Sequence, residues 1–393
     1  MEIVMFGGSF NPPHRGHRAA ALAAAKALKP DRLLIVPDHL PPHKELAAGS
    51  PTPEQRLALC RAGFSGIPGA EISDLELRRG GTSYTADTLR ALSAEYPGAA
   101  LTLLVGTDML LTLDQWREPE FLLKTARIRA FPRELDDRAA LEAKAAALRE
   151  RFGADVALID MKPLPASSTD VRAALSSGEG VELLTDRVYA AIVRERLYNV
   201  KLNLPWLRKK AYAMLKPKRI PHVVGCEYEA VSLARRWGAD EFDAAVAAIL
   251  HDCTKKLSRE EQLRLCAQYG VEPDEIERNS EKLLHAKTGA AVARACFGVS
   301  EAVAEAIRWH TTGKADMTLL EKVIYLADYI EPTRDFPGVE RLRALAYEDL
   351  DAALCLGLEM SDAEVRGYGN EPHPNSAAAL AFLRRTRGAE EPT

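Results

Sequence analysis

The chain contains no Cys-x-x-Cys pair: its six cysteines, Cys60, Cys226, Cys253, Cys266, Cys296 and Cys355, are scattered. That spacing excludes a disulfide scaffold and fits a reducing compartment. No apolar run approaches the roughly 18 residues that a membrane span needs. Charge of one sign is also missing. Lys plus Arg number 52 against 56 Asp plus Glu, a net charge of −4, so the overall basic field of a nucleic-acid binder is absent. Neither Gly-x-x-x-x-Gly-Lys nor Gly-x-Gly-x-x-Gly occurs, which excludes a P-loop and the dinucleotide fingerprint. Glu2 stands directly before an apolar segment, with no secretory leader pattern, and a cytoplasmic location is expected. What is present is 393 residues, 47% hydrophobic and 27% charged, an ordinary globular composition for two to three domains.

The first half alternates short apolar runs (3–6, 32–37, 101–106, 127–131 and 156–161) with helical stretches such as 17–29 and 85–96. Near-continuous apolar strands separated by helices predict an α/β domain with a doubly wound parallel sheet. From about 205 onward strand-length runs give way to successive helical patterns such as FDAAVAAILHD and TLLEKVIYLADYI, punctuated by Gly and Pro. This half reads as all-α. The expected domains are 1–198 and 207–388, with a linker over 199–206. The basic stretch 208–219 is expected to be the solvated face of a helix, and RGAEEPT at the end a frayed tail.

Two segments carry chemistry. In GGSFNPPHRGH, an apolar strand ends at Gly7 and Gly8, where backbone N–H groups can approach an anion closely. A helix then starts near His14, so His14 and His17 project from one face of its first turn. Imidazoles beside a helix N-terminus suit polyphosphate oxygens, at the strand end where a parallel sheet binds ligands. Farther on, SSTDVR reads as a hydroxyl-rich helix cap with an arginine on the first turns. In the second half, His222, His251-Asp252, His285, His310 and Asp328 recur near helix ends. Helical bundles build metal sites from such inward side chains, and four imidazoles with two carboxylates suit iron or manganese better than calcium.

The run from Gly7 to His17 resembles the signature of the nucleotidyltransferases that adenylylate mononucleotides, with a Rossmann-like fold. The resemblance implies that Gly7, Gly8, Ser9, Phe10, His14, His17, Ser167, Ser168, Thr169 and Arg172 bind ATP, accompanied by Mg²⁺, with His14 and His17 catalytic. PPHK (41–44), GGTSYTADT (80–88) and GTDMLLTLDQW (106–116) are similar to the nicotinate-mononucleotide adenylyltransferases. This likeness implies Lys44 at the mononucleotide phosphate, Asp108 at a ribose, and Thr82, Tyr84, Thr85 and Trp116 around the pyridine. Met109 and Arg133-Glu134-Leu135 depart from the usual pattern there.

The second half resembles the HD phosphohydrolases, and within them the bacterial symmetrical diadenosine tetraphosphate hydrolases with a di-iron-type centre. It implies two transition-metal ions, iron or manganese. One would sit on His222, His251, Asp252 and Asp328, the other on His285 and His310, with Asp252 bridging. Asp252 and Lys255 would be catalytic, and Thr311, Thr312, Glu331 and Arg334 would line the substrate or support the ligands. Ile220-Pro221 departs from the commoner residues before His222, and Pro221 suits the first helical position.

Together these readings predict a bifunctional enzyme. One half would join ATP to nicotinate mononucleotide, making deamido-NAD and pyrophosphate. The other would cleave diadenosine tetraphosphate to two ADP. The alternatives are a different acceptor (nicotinamide mononucleotide or phosphopantetheine), another nucleotide for the HD half, or an HD half that is a nucleotide sensor. Neither nucleic acid nor membrane is an expected partner, and the oligomeric state is not legible.

Overall fold

The computed structural model describes residues 1–42, 46–47 and 49–389. The chain divides into two units, Met1–Lys201 and Leu202–Thr393. No helix of the described residues is long and apolar enough to cross a membrane.

The first unit is built on a six-stranded parallel sheet: β1 (Glu2–Gly8), β2 (Arg32–Pro37), β3 (Ala70–Ile72), β4 (Ala100–Gly106), β5 (Ala126–Phe131) and β6 (Val156–Leu158), in the order β3-β2-β1-β4-β5-β6. Ile3 lies opposite Arg32 on one side and Leu101 on the other, which fixes the central register. Successive side chains of a strand point to opposite faces, and here both faces are buried. Ile3, Met5, Leu101 and Leu103 pack with Leu89 and Leu92 of α2 (Thr85–Glu95). Val4, Phe6, Leu33 and Ile35 pack against the small face Ala20, Ala21 and Ala24 of α1 (Arg15–Leu28). Each fully buried Leu or Ile contributes about 1.5–3 kcal/mol. The chain leaves β1 toward β2 on one side, and later elements build on β4 at the other. This reversal opens a crevice at the carboxyl end of β1.

Two strand readings need correction. β3, Ala-Glu-Ile, was not expected; three residues are too few to show a period. β6 stops at Leu158 rather than 161: the Ile159 N–H still donates to the Ala130 carbonyl of β5, but Asp160 is already in solvent.

The second unit is helical throughout its described residues. Its centre consists of α4 (Ile220–Trp237), α5 (Glu241–Leu250), α6 (Glu281–Phe297), α7 (Glu301–Trp309) and α8 (Leu319–Ile330), the label α3 belonging to Ser168–Ser177 in the first unit. Helix α4 packs on α5 and α8, and α7 on α5, α6 and α8. The starts are sequence-encoded: Asp240, Ser300 and Thr318 each accept a backbone N–H three residues on. Pro221 occupies the second helical position, one later than expected, because Arg219 is the cap. Of the expected frayed tail, 387–389 are helical and Arg387 reaches Asp349 at 2.7 Å, while 390–393 lie outside the described residues.

Candidate functional sites

In the first unit a cavity of about 490 Å³ opens where β1 and β4 diverge. Its floor is the turn after β1. His14 caps α1 in extended conformation, and its backbone N–H donates to His17 Nδ1 at 3.2 Å. That bond leaves the His17 proton on Nε2. The two rings stack with centroids 3.7 Å apart, and Phe10 packs edge-on to His17. Burial, helped by Arg133, pushes His14 down from 6.5 to about 4. Burial, then the His14 and Arg133 charges, hold His17 well below its ordinary value. Both imidazoles are therefore neutral at pH 7, each with one N–H to donate.

The serine-rich cap closes the opposite wall. Ser167 accepts the Asp170 N–H at 3.1 Å and starts α3. Ser168 Oγ donates to the Pro12 carbonyl at 3.0 Å, and Arg172 donates to the Asn11 carbonyl at 2.7 Å and to Thr169 Oγ1 at 3.1 Å. These bonds tie the cap to the histidine turn across more than 150 residues of sequence. Gly7, Gly8, Ser9, His14, His17, Phe10 and Ser167, Ser168, Thr169, Arg172 all border the cavity.

Tyr84, Thr85, Asp108 and Trp116 border it as well. Trp116 Nε1 donates to Thr112 Oγ1 at 3.2 Å, and Arg117 lies over the Tyr84 ring at 4.6 Å. Thr82 does not reach the wall. It is exposed and bridges to Leu40, so the backbone that carries it turns outward while Ser83 takes the lining position. Lys44 lies outside the described residues.

Two lining groups were missed as site residues. Arg133, after β5, holds Asp108 at 3.2 Å and puts its charge beside the histidines. A cation just past a strand's carboxyl end was the available signal. Asp38, after β2, accepts from Ser9 Oγ at 2.6 Å and pairs with buried Arg56 at 2.9 Å.

In the second unit all six expected ligands converge. His222 Nε2 lies 3.0 Å from Asp328 Oδ1 and 3.3 Å from His251 Nε2. His285 Nε2 lies 3.1 Å from His310 Nε2. Asp252 stands between, with Oδ2 at 3.3 Å from His251 and Oδ1 at 3.0 Å from His285. The outer nitrogens anchor three of the rings. His251 Nδ1 meets the Ala248 carbonyl and His310 Nδ1 the Ile307 carbonyl, both at 2.7 Å, and His222 Nδ1 meets Glu331 Oε1 at 3.0 Å. The Nε2 atoms of these rings face the centre. Two pairs of imidazole nitrogens at 3.1 and 3.3 Å, with Asp252 between them, fit a site for cations, so the residues present match a two-metal centre.

Burial alone would raise Asp252 and Asp328. The His251 imidazole beside the first, and that of His222 beside the second, hold both well below the usual carboxylate range. Lys255 Nζ reaches Asp252 Oδ1 at 3.1 Å, and Arg334 reaches Asp328 Oδ1 at 2.9 Å. Arg219, the last residue of the basic stretch expected to be solvated, instead donates to Asp252 Oδ2. Its place immediately before α4, three residues from His222, was the signal. Thr312 is buried and its carbonyl accepts from Ser376 Oγ at 2.9 Å.

Comparison with known proteins divides the chain in the same way. The Cytidylyltransferase-like family model matches residues 5–174, and the HD domain model matches residues 219–333. A probable nicotinate-nucleotide adenylyltransferase of Symbiobacterium thermophilum is 36% identical over 198 residues, 50% of this chain and 95% of that protein. A symmetrical bis(5'-nucleosyl)-tetraphosphatase of Bacillus subtilis is 45% identical over 152 residues, 37% of this chain and 81% of that protein. A crystal structure from Clostridium acetobutylicum, described as a predicted HD superfamily hydrolase involved in NAD metabolism, is 37% identical, with TM-score 0.45, and covers 46% of this chain and 96% of that one.

Proposed function

We propose two activities at phosphorus for this chain, because it belongs to two families: through its first unit to the nicotinate-nucleotide adenylyltransferases, and through its second to the HD-domain symmetrical bis(5'-nucleosyl)-tetraphosphatases. We assign the first activity to residues 1–198 and the second to 207–388, joined by 199–206.

The first transfers AMP from ATP, bound with Mg²⁺, to nicotinate mononucleotide. A phosphate oxygen of the mononucleotide forms a bond to the α-phosphorus of ATP, the bond from that phosphorus to the β-phosphate oxygen breaks, and pyrophosphate departs with the electron pair. The nucleophile belongs to the substrate, so the protein supplies position and charge. His17 Nε2–H, His14 and the α1 N-terminus donate to the phosphate oxygens. Arg133 and Arg172 offset the charge that develops on the leaving group. Tyr84, Thr85 and Trp116 make the aromatic end, with Asp108 and Lys44 on the ribose and phosphate. The observation carrying this reading is the stacked histidine pair facing the Ser167–Arg172 cap across one cavity. The test is pyrophosphate release by the full chain with ATP and each of three acceptors. Nicotinate mononucleotide should be preferred; preference for nicotinamide mononucleotide or phosphopantetheine would overturn the acceptor.

The second activity hydrolyses diadenosine tetraphosphate to two ADP. Four imidazoles and the Asp328 carboxylate gathered around Asp252 carry this reading. Bound transition-metal ions, iron or manganese, would lower the pKa of a water and draw in phosphate oxygens. His222, His251, Asp252 and Asp328 would hold one ion, and His285 and His310 the other, sharing Asp252. Lys255, Arg219 and Arg334 sit where they can exchange carboxylate for substrate phosphate. Product analysis decides: two ADP support the reading, whereas AMP plus ATP, or no turnover by metal-replete protein, overturn it. Six free cysteines support a reducing, cytoplasmic setting.

A further inference from the structure

Cys226 stands one turn beyond His222 on α4 and is 1% exposed. Its Sγ lies 3.3 Å from His222 Nε2 and 4.0 Å from Asp328 Oδ1. The sulfur, His222, His251 and Asp328 offer four ligand atoms within 4.8 Å of one another. Metal–nitrogen bonds of about 2.1 Å and metal–sulfur bonds of about 2.3 Å put neighbouring ligands roughly 3–4 Å apart. The observed spacings fall in that range. Cys253 provides the contrast: it follows Asp252 directly, yet its sulfur turns away to the Gly289 carbonyl at 3.8 Å.

We propose that the Cys226 thiolate is a ligand of the ion held by His222, His251 and Asp328, making that half of the centre a sulfur-containing site for borderline and soft divalent ions. The inference rests on the two-metal reading above. When the ion binds, the sulfur–metal bond forms, the S–H bond breaks and the proton leaves to solvent. Nothing is oxidised or reduced. The half-sites then differ in kind. The one built on His285, His310 and Asp252 has only nitrogen and oxygen. The other selects Zn²⁺, Co²⁺ or Fe²⁺ over Mn²⁺ and Mg²⁺, because thiolate is the softest ligand available to it.

Cobalt makes the sulfur visible. The full chain carrying Cys296→Ala, which removes the exposed thiol, is stripped with chelator and titrated with Co²⁺. The proposal expects visible d–d bands together with a near-ultraviolet thiolate-to-cobalt charge-transfer band. Adding Cys226→Val should abolish the charge-transfer band, retain the d–d bands, and weaken Zn²⁺ binding by roughly tenfold or more. Retained d–d bands show that the centre still assembles. A parent protein with d–d bands but no charge-transfer band, or a Cys226→Val protein that keeps it, overturns the sulfur ligand and leaves the two-metal reading standing. A parent protein that binds no cobalt overturns both. Should the valine variant fail to fold, ¹¹³Cd NMR of the parent decides: a strongly deshielded, sulfur-bound cadmium supports the assignment, and only nitrogen- and oxygen-bound cadmium refutes it.

Discussion

The His17 imidazole is held by the backbone N–H of His14, so its Nε2 proton is directed without conformational search. Losing a donor of this kind costs about 10²–10³ in turnover. His17→Ala should lower pyrophosphate release by that factor, with less effect on the KM for ATP; turnover near the wild-type value would refute the role. His14 makes a pH prediction. Its native pKa of about 4 lies below the ordinary 6.5, so the unfolded chain takes up a proton in a range where the native chain does not. Stability is therefore unaffected above pH 6.5 and is lost as pH falls from 6.5 toward 4. At about 1.36 kcal/mol per pH unit the loss approaches about 3 kcal/mol. Denaturant midpoints of wild type and His14→Gln should converge at pH 7 and diverge at pH 5, with the glutamine variant less acid-sensitive. Parallel curves would contradict the burial of an uncharged imidazole.

At the scale of the element, α4 supplies His222 and Cys226 from one face and has glycine at 225. A Cβ there would collide with Glu331 Oε2, on the carboxylate that orients His222. The helix gives up about 1 kcal/mol relative to alanine to leave that space. Gly225→Ala should push Glu331 away and weaken metal binding by roughly 10–100-fold without removing a ligand, measured by competition with a chromophoric chelator. Elements also show what can be read before folding. Strands β1, β2 and β4 were legible because two buried faces demand unbroken apolar runs, and β5 from Ile128, Ala130 and Phe131 around two arginines. The histidine turn was legible because its residue types are tied to local geometry. Arg133, Asp38 and Arg219 were not, since their roles depend on strand ends and helix caps distant in sequence coming together. Thr82 misled for the converse reason: it shares a local pattern with Tyr84 and Thr85, but the backbone turns it out.

For the whole molecule, each unit has its own core and its own ligand chemistry, which predicts separable thermal responses. Calorimetry should show ATP raising one transition, by about 2.7 kcal/mol of stabilisation at one hundred times its Kd, and chelator lowering the other. One transition shifting equally with both would contradict independent sites. The chain divides after Lys201, where alternating strands and helices give way to helices alone. The second unit has a further property that follows from its imidazoles. Folding itself brings the imidazoles of His222 and His251, and of His285 and His310, to nitrogen separations of 3.3 and 3.1 Å, so any fitting divalent ion meets a donor set already assembled. The ion found there should thus record what the chain met as it folded, and refolding in zinc or in manganese should yield two differently filled preparations from one polypeptide.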